Sequence, residues 1–199
     1  MELIVLSDPN AVENEAQIIN QLFEAGLKRF HLRKPDWDSK QLIELLMQID
    51  KAFYHNIALH QQHHIAEDFD IKRLHYTERH RMNTDLENLI YKNSEGYVLS
   101  TSVHDLNILK TLIGFDYIFF GPVFNSISKP DYKSNLPEGF RIVKNGIKPK
   151  VIALGGVEES NLDKVKEMNF DGVAVLGTIW NDPGHAISNF RKLKNYLIN

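Results

Sequence analysis

Between residues 121 and 129 the chain runs Gly-Pro-Val-Phe-Asn-Ser-Ile-Ser-Lys. Ser126, Ser128 and Lys129 form a hydroxyl–x–hydroxyl–Lys loop, which offers hydrogen-bond donors and one positive charge to an anion. A plain polar loop has the same composition. Two other segments end an apolar run in glycine: Ile152-Ala153-Leu154-Gly155-Gly156-Val157 and Val173-Ala174-Val175-Leu176-Gly177-Thr178. Glycine lets backbone N–H groups come close to a ligand, although Gly155-Gly156 serves a tight turn equally well.

His31 and Arg33 stand two residues apart and share a face if the segment is extended. An arginine on a buried face is costly unless it meets a carboxylate, a phosphate or water. A structural ion pair satisfies it as well as a ligand does. Of the nine histidines, seven fall between His31 and His80. His60, His63 and His64 make H-x-x-H-H, and His75 and His80 flank the end of another apolar run. Imidazole suits zinc, copper or nickel, but the spacing lacks the glutamate of a zincin motif. Hydrogen-bonded or solvated histidines are the expectation, and no metal site is assigned. His104, in Ser102-Val103-His104-Asp105, has the right intrinsic pKa for proton transfer; Asp105 or Ser102 is a candidate helix cap.

The elements that position these residues alternate short apolar runs with longer segments of helical periodicity. Strands are predicted at Glu2–Ser7, Arg29–Arg33, Asn56–His60, Arg73–Tyr76, Gly96–Ser100, Asp116–Gly121, Lys150–Gly155 and Gly172–Leu176. Most are continuous apolar runs, as strands covered on both faces require. Helical faces lie between them: Ile18, Leu22 and Ala25; Leu42, Leu45, Leu46, Ile49 and Phe53; Leu106, Leu109 and Ile113; Leu162, Val165 and Met168. Asn161 is placed inside the last of these, with Ser160 near its start. The stretch Gln62–Phe69 has room for barely two turns. A terminal helix is expected from about Pro183 to Leu197, with Asp182-Pro183 as cap and first-turn proline. This pattern predicts an α/β protein with a parallel sheet. Periodicity alone leaves open whether the sheet is doubly wound or closed as a (β/α)8 TIM barrel. In a barrel, working residues stand at strand C-termini, and the loops after strands seven and eight form the common phosphate site.

At 199 residues, with 43% hydrophobic and 25% charged residues, the chain fits one soluble domain over residues 1–199. The absence of cysteine excludes disulfides, thiolate catalysis and Cys-ligated zinc. A net charge of −3 without a basic cluster argues against nucleic acid. No apolar run reaches the ~18 residues of a membrane span. Met1-Glu2-Leu3-Ile4-Val5-Leu6 reads as a strand and carries an acid where a signal peptide would be basic, so a cytoplasmic protein is expected.

Together these segments resemble the thiamine-phosphate synthase/TenI family. Residues 121–129 resemble its G-P-[IV]-[FY]-x-T-x-T-K loop. Val151–Val157 resembles V-x-A-I-G-G-I, Asp171–Val175 resembles D-G-V-A-V, and Val98–His104 resembles I-x-G-x-S-x-H. His31-Leu32-Arg33 echoes Q-L-R. The resemblance implies a single-domain TIM barrel. It implies a transferase that joins hydroxymethylpyrimidine pyrophosphate to thiazole phosphate, with Mg2+ at the leaving group. Ser126, Ser128, the Gly155-Gly156 turn, Leu176 and Gly177 would then hold the thiazole phosphate. Lys129 and Arg33 would meet the pyrophosphate, Ser102 would stand at the reacting centre, and His31, Arg33, His60 and Gln61 would line the pyrimidine and pyrophosphate side; His104 or another mouth histidine is the candidate to supply catalytic proton transfer. The family's two magnesium aspartates correspond to Gln61 and His80, so the hard anionic ligands are replaced. Proline also stands at 35, where the family has lysine. The TenI branch lacks the metal site too, and some of its members tautomerise a thiazole carboxylate phosphate with a histidine at the position of Pro122. A homodimer through the outer helices is compatible with such a barrel.

Overall fold

The computed structural model describes residues 1–125, 134, 136–144, 146 and 148–198. Eight strands, β1 (Glu2–Leu6), β2 (Phe30–Leu32), β3 (Ile57–Leu59), β4 (Arg73–Tyr76), β5 (Val98–Val103), β6 (Tyr117–Phe120), β7 (Lys150–Leu154) and β8 (Gly172–Val175), pair in sequence order. All pairs are parallel, and β1 closes on β8 through Glu2↔Gly172 to Val5↔Val175. The sheet is therefore a closed barrel and not a doubly wound one. The predicted strands stand within about three residues of these bounds, the largest shift being at β5.

The surrounding layer is lighter than the periodicity suggests. Full helices are α1 (Glu15–Glu24), α2 (Ser39–Leu46), α3 (Glu78–Met82), α4 (Leu86–Ser94), α5 (Leu162–Glu167), α6 (Gly177–Trp180) and α7 (Ala186–Ile198). After β3 and β5 the chain makes only 3-10 turns, His63–Ile65, Glu67–Phe69 and Leu106–Thr111. Two local expectations change. Asn161 ends a 3-10 turn and precedes α5, its side chain pairing with the backbone N–H of Glu158. Asp182 makes no capping bond; its carboxylate instead accepts from Nδ1 of His185 at 2.8 Å. Asp105 does cap, accepting from Asn107 N at 2.8 Å.

Outward-facing strand residues pack on the helices: Val5, Phe30 and Leu32 meet Ile19, Leu22 and Phe23 of α1 and Leu42 and Leu46 of α2 in one continuous core. Inward-facing residues form a second, smaller core of Ile4, Leu6, Tyr117, Phe119, Ile152 and Ala174. That inner core lines only half the lumen, from β6 round to β1. The other half presents His31, His60, His75, Ser100 and Ser102. At the base, the Arg29 guanidinium lies 4.4 Å over the Tyr117 ring and 2.8 Å from Glu2 Oε2, which sets the polar half off from the outer rim.

Lys34, directly after Arg33, turns away from the lumen. Its ammonium is fully buried on α1, 2.7 Å from Glu15 Oε2 and 2.5 Å from the Asn10 carbonyl. Glu15 Oε1 has no partner among the described residues. Burial raises the Glu15 pKa and lowers that of Lys34, while their mutual attraction works the other way. Because a lone buried charge is strongly unfavourable, Glu15→Ala is expected to lower the unfolding free energy by about 3–5 kcal/mol. A urea titration checks this; a loss under about 1 kcal/mol would mean that the ammonium reaches water.

Candidate functional site

Strand pleating decides which side chains enter the lumen. His31 from β2, His75 from β4, Ser100 and Ser102 from β5, and Tyr117 and Phe119 from β6 point inward, and His60 follows directly on β3. His31 Nε2 meets Tyr117 Oη at 2.8 Å, and His31 Nδ1 meets His60 Nε2 at 2.8 Å. His75 Nδ1 meets Ser100 Oγ and its Nε2 meets Ser102 Oγ, both at 2.9 Å. The His60 and His75 rings stack at 4.0 Å, and His75 stacks on Phe119 at 5.0 Å. His31, His60 and Ser102 were expected at the site; His75, Ser100 and Tyr117 were not. Their signal was the two-residue periodicity of polar groups inside apolar strands, His75 opposite Ser100 and Ser102.

The H-x-x-H-H run does not stay together. His60 enters the lumen. His63 Nε2–H donates to the carbonyls of Leu59 and His75 at 3.1 and 3.2 Å. His64 is exposed, its Nε2 3.1 Å from Ser39 Oγ.

Burial dominates the electrostatics. Desolvation holds His31 and His60 well below the usual imidazole range, helped by neighbouring histidines and by arginines. His75 falls to about 3, mainly by desolvation, then by the charges of His63 and Arg33. His63 falls to about 4, by desolvation and then His80. The lumen is thus a neutral, hydrogen-bonded polar surface, with Arg33 the cation above it among the described residues. Arg33 is half-buried; its backbone is fixed by reciprocal bonds with Ser7, N–H to Oγ at 2.8 Å and Oγ–H to the carbonyl at 2.9 Å.

Gln61 does not point freely into the mouth: its Oε1 accepts from Lys34 N at 3.1 Å. His80 is exposed, against Tyr76 and His63 at 4.7 and 5.0 Å between ring centroids. With an amide oxygen already engaged at 61 and an imidazole at 80, this pair of positions does not fit a magnesium ion, which selects carboxylate oxygen.

On the opposite rim, the loop after β6 lies on the glycine turn after β7. Val123 N donates to Leu154 O at 3.0 Å and Phe124 N to Gly155 O at 3.1 Å. Gly155 and Gly156 have φ +94° and +64°. A Cβ on Gly156 would meet Asn125 O at 2.3 Å, so both the conformation and the space require glycine there. Asn161 Nδ2 donates to Gly156 O at 2.8 Å and Thr178 Oγ1 to Val157 O at 2.7 Å, tying this turn to the β8 end, where Leu176 precedes α6 and Gly177 opens it. Ser126, Ser128 and Lys129 lie outside the described residues. His104 is exposed beside this rim, and its Nδ1 donates to Gly121 O at 2.7 Å. A carbonyl only accepts, so Nδ1 carries a proton, and Nε2 has no partner among the described residues.

A closed parallel barrel with its polar residues gathered at the strand C-termini defines the (β/α)8 class, with its working face at that mouth. Within that class the chain belongs to the thiamine monophosphate synthase family, TMP-TENI, whose model matches residues 3–179. The thiamine-phosphate synthase of Staphylococcus carnosus (strain TM300) is 24% identical over 193 residues, spanning 91% of this chain and 88% of that one. The thiamine-phosphate synthase of Clostridium tetani is 27% identical over 146 residues, 62% of this chain and 70% of that protein. Among solved structures, a thiamine phosphate pyrophosphorylase from Bacteroides thetaiotaomicron superposes with a TM-score of 0.76 at 26% identity, covering 100% of this chain and 98% of that one. One from Pyrococcus furiosus shares the fold, with a TM-score of 0.78 at 18% identity and coverage of 99% and 95%. No helix of the described chain is long and apolar enough to cross a membrane.

Two outcomes follow. A depressed imidazole binds no proton in the folded chain at a pH where the unfolded chain, with a pKa near 6.5, does. Its stabilisation is therefore complete above about pH 6.5 and is lost as pH falls toward the folded value, at about 1.4 kcal/mol per pH unit per histidine. Urea midpoints measured in EDTA should drop steadily from pH 7 to pH 5, and His75→Gln should reduce that slope by about one proton; an unchanged slope would show His75 titrating as if solvated. Gly156→Ala should cost more than about 1 kcal/mol, and a thermal melt within error of the parent would contradict the close approach to Asn125.

Proposed function

We propose that this chain is a TenI-type member of the family, which binds a thiazole phosphate at the glycine-lined rim and shifts a proton on it without resident magnesium. The observation that carries this reading is the donor set at 61 and 80, which has no carboxylate. Expelling pyrophosphate from a pyrimidine carrier develops several negative charges on the leaving group, and among the described mouth residues Arg33 is the cation facing them. Lys34, the next in sequence, is committed to Glu15. A proton shift makes no such demand. It needs a base, and His104, whose Nε2 has no partner among the described residues, stands next to Gly121 beside the rim where the bound thiazole would lie. Ser126, Ser128, Leu176 and the N–H groups of Gly156 and Gly177 are assigned to the phosphate, Ser102 and His75 to the polar wall facing the ring, and His31 and His60 to the floor.

The second reading is the coupling of hydroxymethylpyrimidine pyrophosphate with thiazole phosphate to give thiamine phosphate. It is favoured by the Ser126-x-Ser128-Lys129 pattern and by the synthases among the relatives. In that case Lys129 and Arg33 would take over the neutralisation that magnesium provides elsewhere.

Both readings meet one experiment. Purified protein is given a thiazole carboxylate phosphate and, separately, both half-substrates with Mg2+. On the first reading the carboxylate isomerises, no thiamine phosphate is formed, and His104→Gln lowers kcat about a hundredfold or more with little change in KM. Formation of thiamine phosphate, abolished by Lys129→Ala, would replace the first reading with the second.

A further inference from the structure

The polar half of the lumen, which the first reading uses only as the floor and wall of a pocket, holds an arrangement whose ligating chemistry neither reading calls on. His31, His60 and His75 stand on or directly after adjacent strands and are 0, 4 and 1% exposed. Each offers one ring nitrogen, and these nitrogens lie within 4.8 Å of one another. Two of the rings are anchored from behind: Tyr117 Oη holds His31 Nε2, and Ser100 Oγ holds His75 Nδ1. Their remaining nitrogens are His31 Nδ1, 2.8 Å from His60 Nε2, and His75 Nε2, 2.9 Å from Ser102 Oγ. A ligating histidine is held in this way, one nitrogen turned to the ion and the other fixed by a hydrogen-bond partner that sets its orientation.

We propose that His31, His60 and His75 form a three-imidazole site for a transition-metal ion of the zinc type, with the fourth position open toward Ser102 and the barrel mouth. The donor chemistry selects the ion: among the described residues no carboxylate joins the cluster, so magnesium and calcium are disfavoured and zinc, cobalt, nickel or copper are preferred. The space needs small adjustments. Zn–N bonds of about 2.0–2.1 Å in a tetrahedron set ligand nitrogens roughly 3.3 Å apart, so His31 and His60 separate slightly from their 2.8 Å contact. His60 or His75 turns about its Cβ–Cγ bond out of the 19° stack, so that the lone pairs converge. The site stands independently of the thiazole reading and of the magnesium positions at 61 and 80.

The probe is Co2+, titrated into the full-length protein after EDTA treatment. One equivalent should bind, with the intense visible absorption of a four-coordinate imidazole site. His60→Gln and His75→Gln, checked for folding by circular dichroism, should weaken binding by more than the ~10–100-fold that loss of an outer hydrogen-bond partner costs. His64→Ala, in the exposed histidine group near α2, should leave it unchanged. The proposal is overturned if wild-type protein takes up no Co2+, if both lumen variants retain wild-type affinity, or if His64→Ala removes it. Should the lumen variants fail to fold, X-ray absorption on Zn2+-loaded wild-type protein decides: three imidazole neighbours support the site, and fewer sink it.

Discussion

Closing eight parallel strands into a ring forces every second strand residue into a space that water does not freely enter, and each polar group sent there must find its partner inside. The rest of this molecule depends on that constraint. On the side from β6 to β1 it is met by apolar packing of Ile4, Leu6, Phe119, Ile152 and Ala174. On the other side it is met by a chain of bonds from Ser102 through His75 to Ser100, and from Tyr117 through His31 to His60. Removing one member orphans its neighbour, so the polar half is a unit held at fixed geometry rather than a set of separate residues.

The same constraint shapes the electrostatics of the mouth. Burial keeps the lumen imidazoles neutral and, among the described residues, leaves Arg33 as the cation above them. Lys34 would double that charge, but the barrel turns it outward, where Glu15 compensates it. The mouth therefore combines a neutral polar floor, modest positive charge and a rim of backbone donors.

The rim owes its shape to close backbone contact. The β6 loop rests on the Gly155–Gly156 turn so tightly that no side chain fits at 156. Asn161 and Thr178 carry the same contact on toward β8. His104 is oriented by the carbonyl of Gly121, a residue of the very loop whose partner turn requires glycine. The proton-bearing side of its ring is thus set by the backbone of the rim.

Fold class and most strand positions were legible in the sequence, because a strand covered on both faces is a predominantly apolar run. The two Gly-ended strands marked the rim for a similar reason: only glycine tolerates positive φ next to another backbone. The family pattern over 98–129 and 151–177 followed from the same local demands. Barrel closure was not legible in the periodicity, which is identical in an open and a closed parallel sheet; the family resemblance implied it, and the β1–β8 pairing shows it. Nor was the grouping of histidines. In the sequence His60, His63 and His64 are neighbours, yet they point into the lumen, onto strand carbonyls and into solvent, whereas His31, His60 and His75 meet across 44 residues of chain between His31 and His75. Local spacing determines which face of an element a side chain takes; which faces then come together is decided by how the strands close around a common axis.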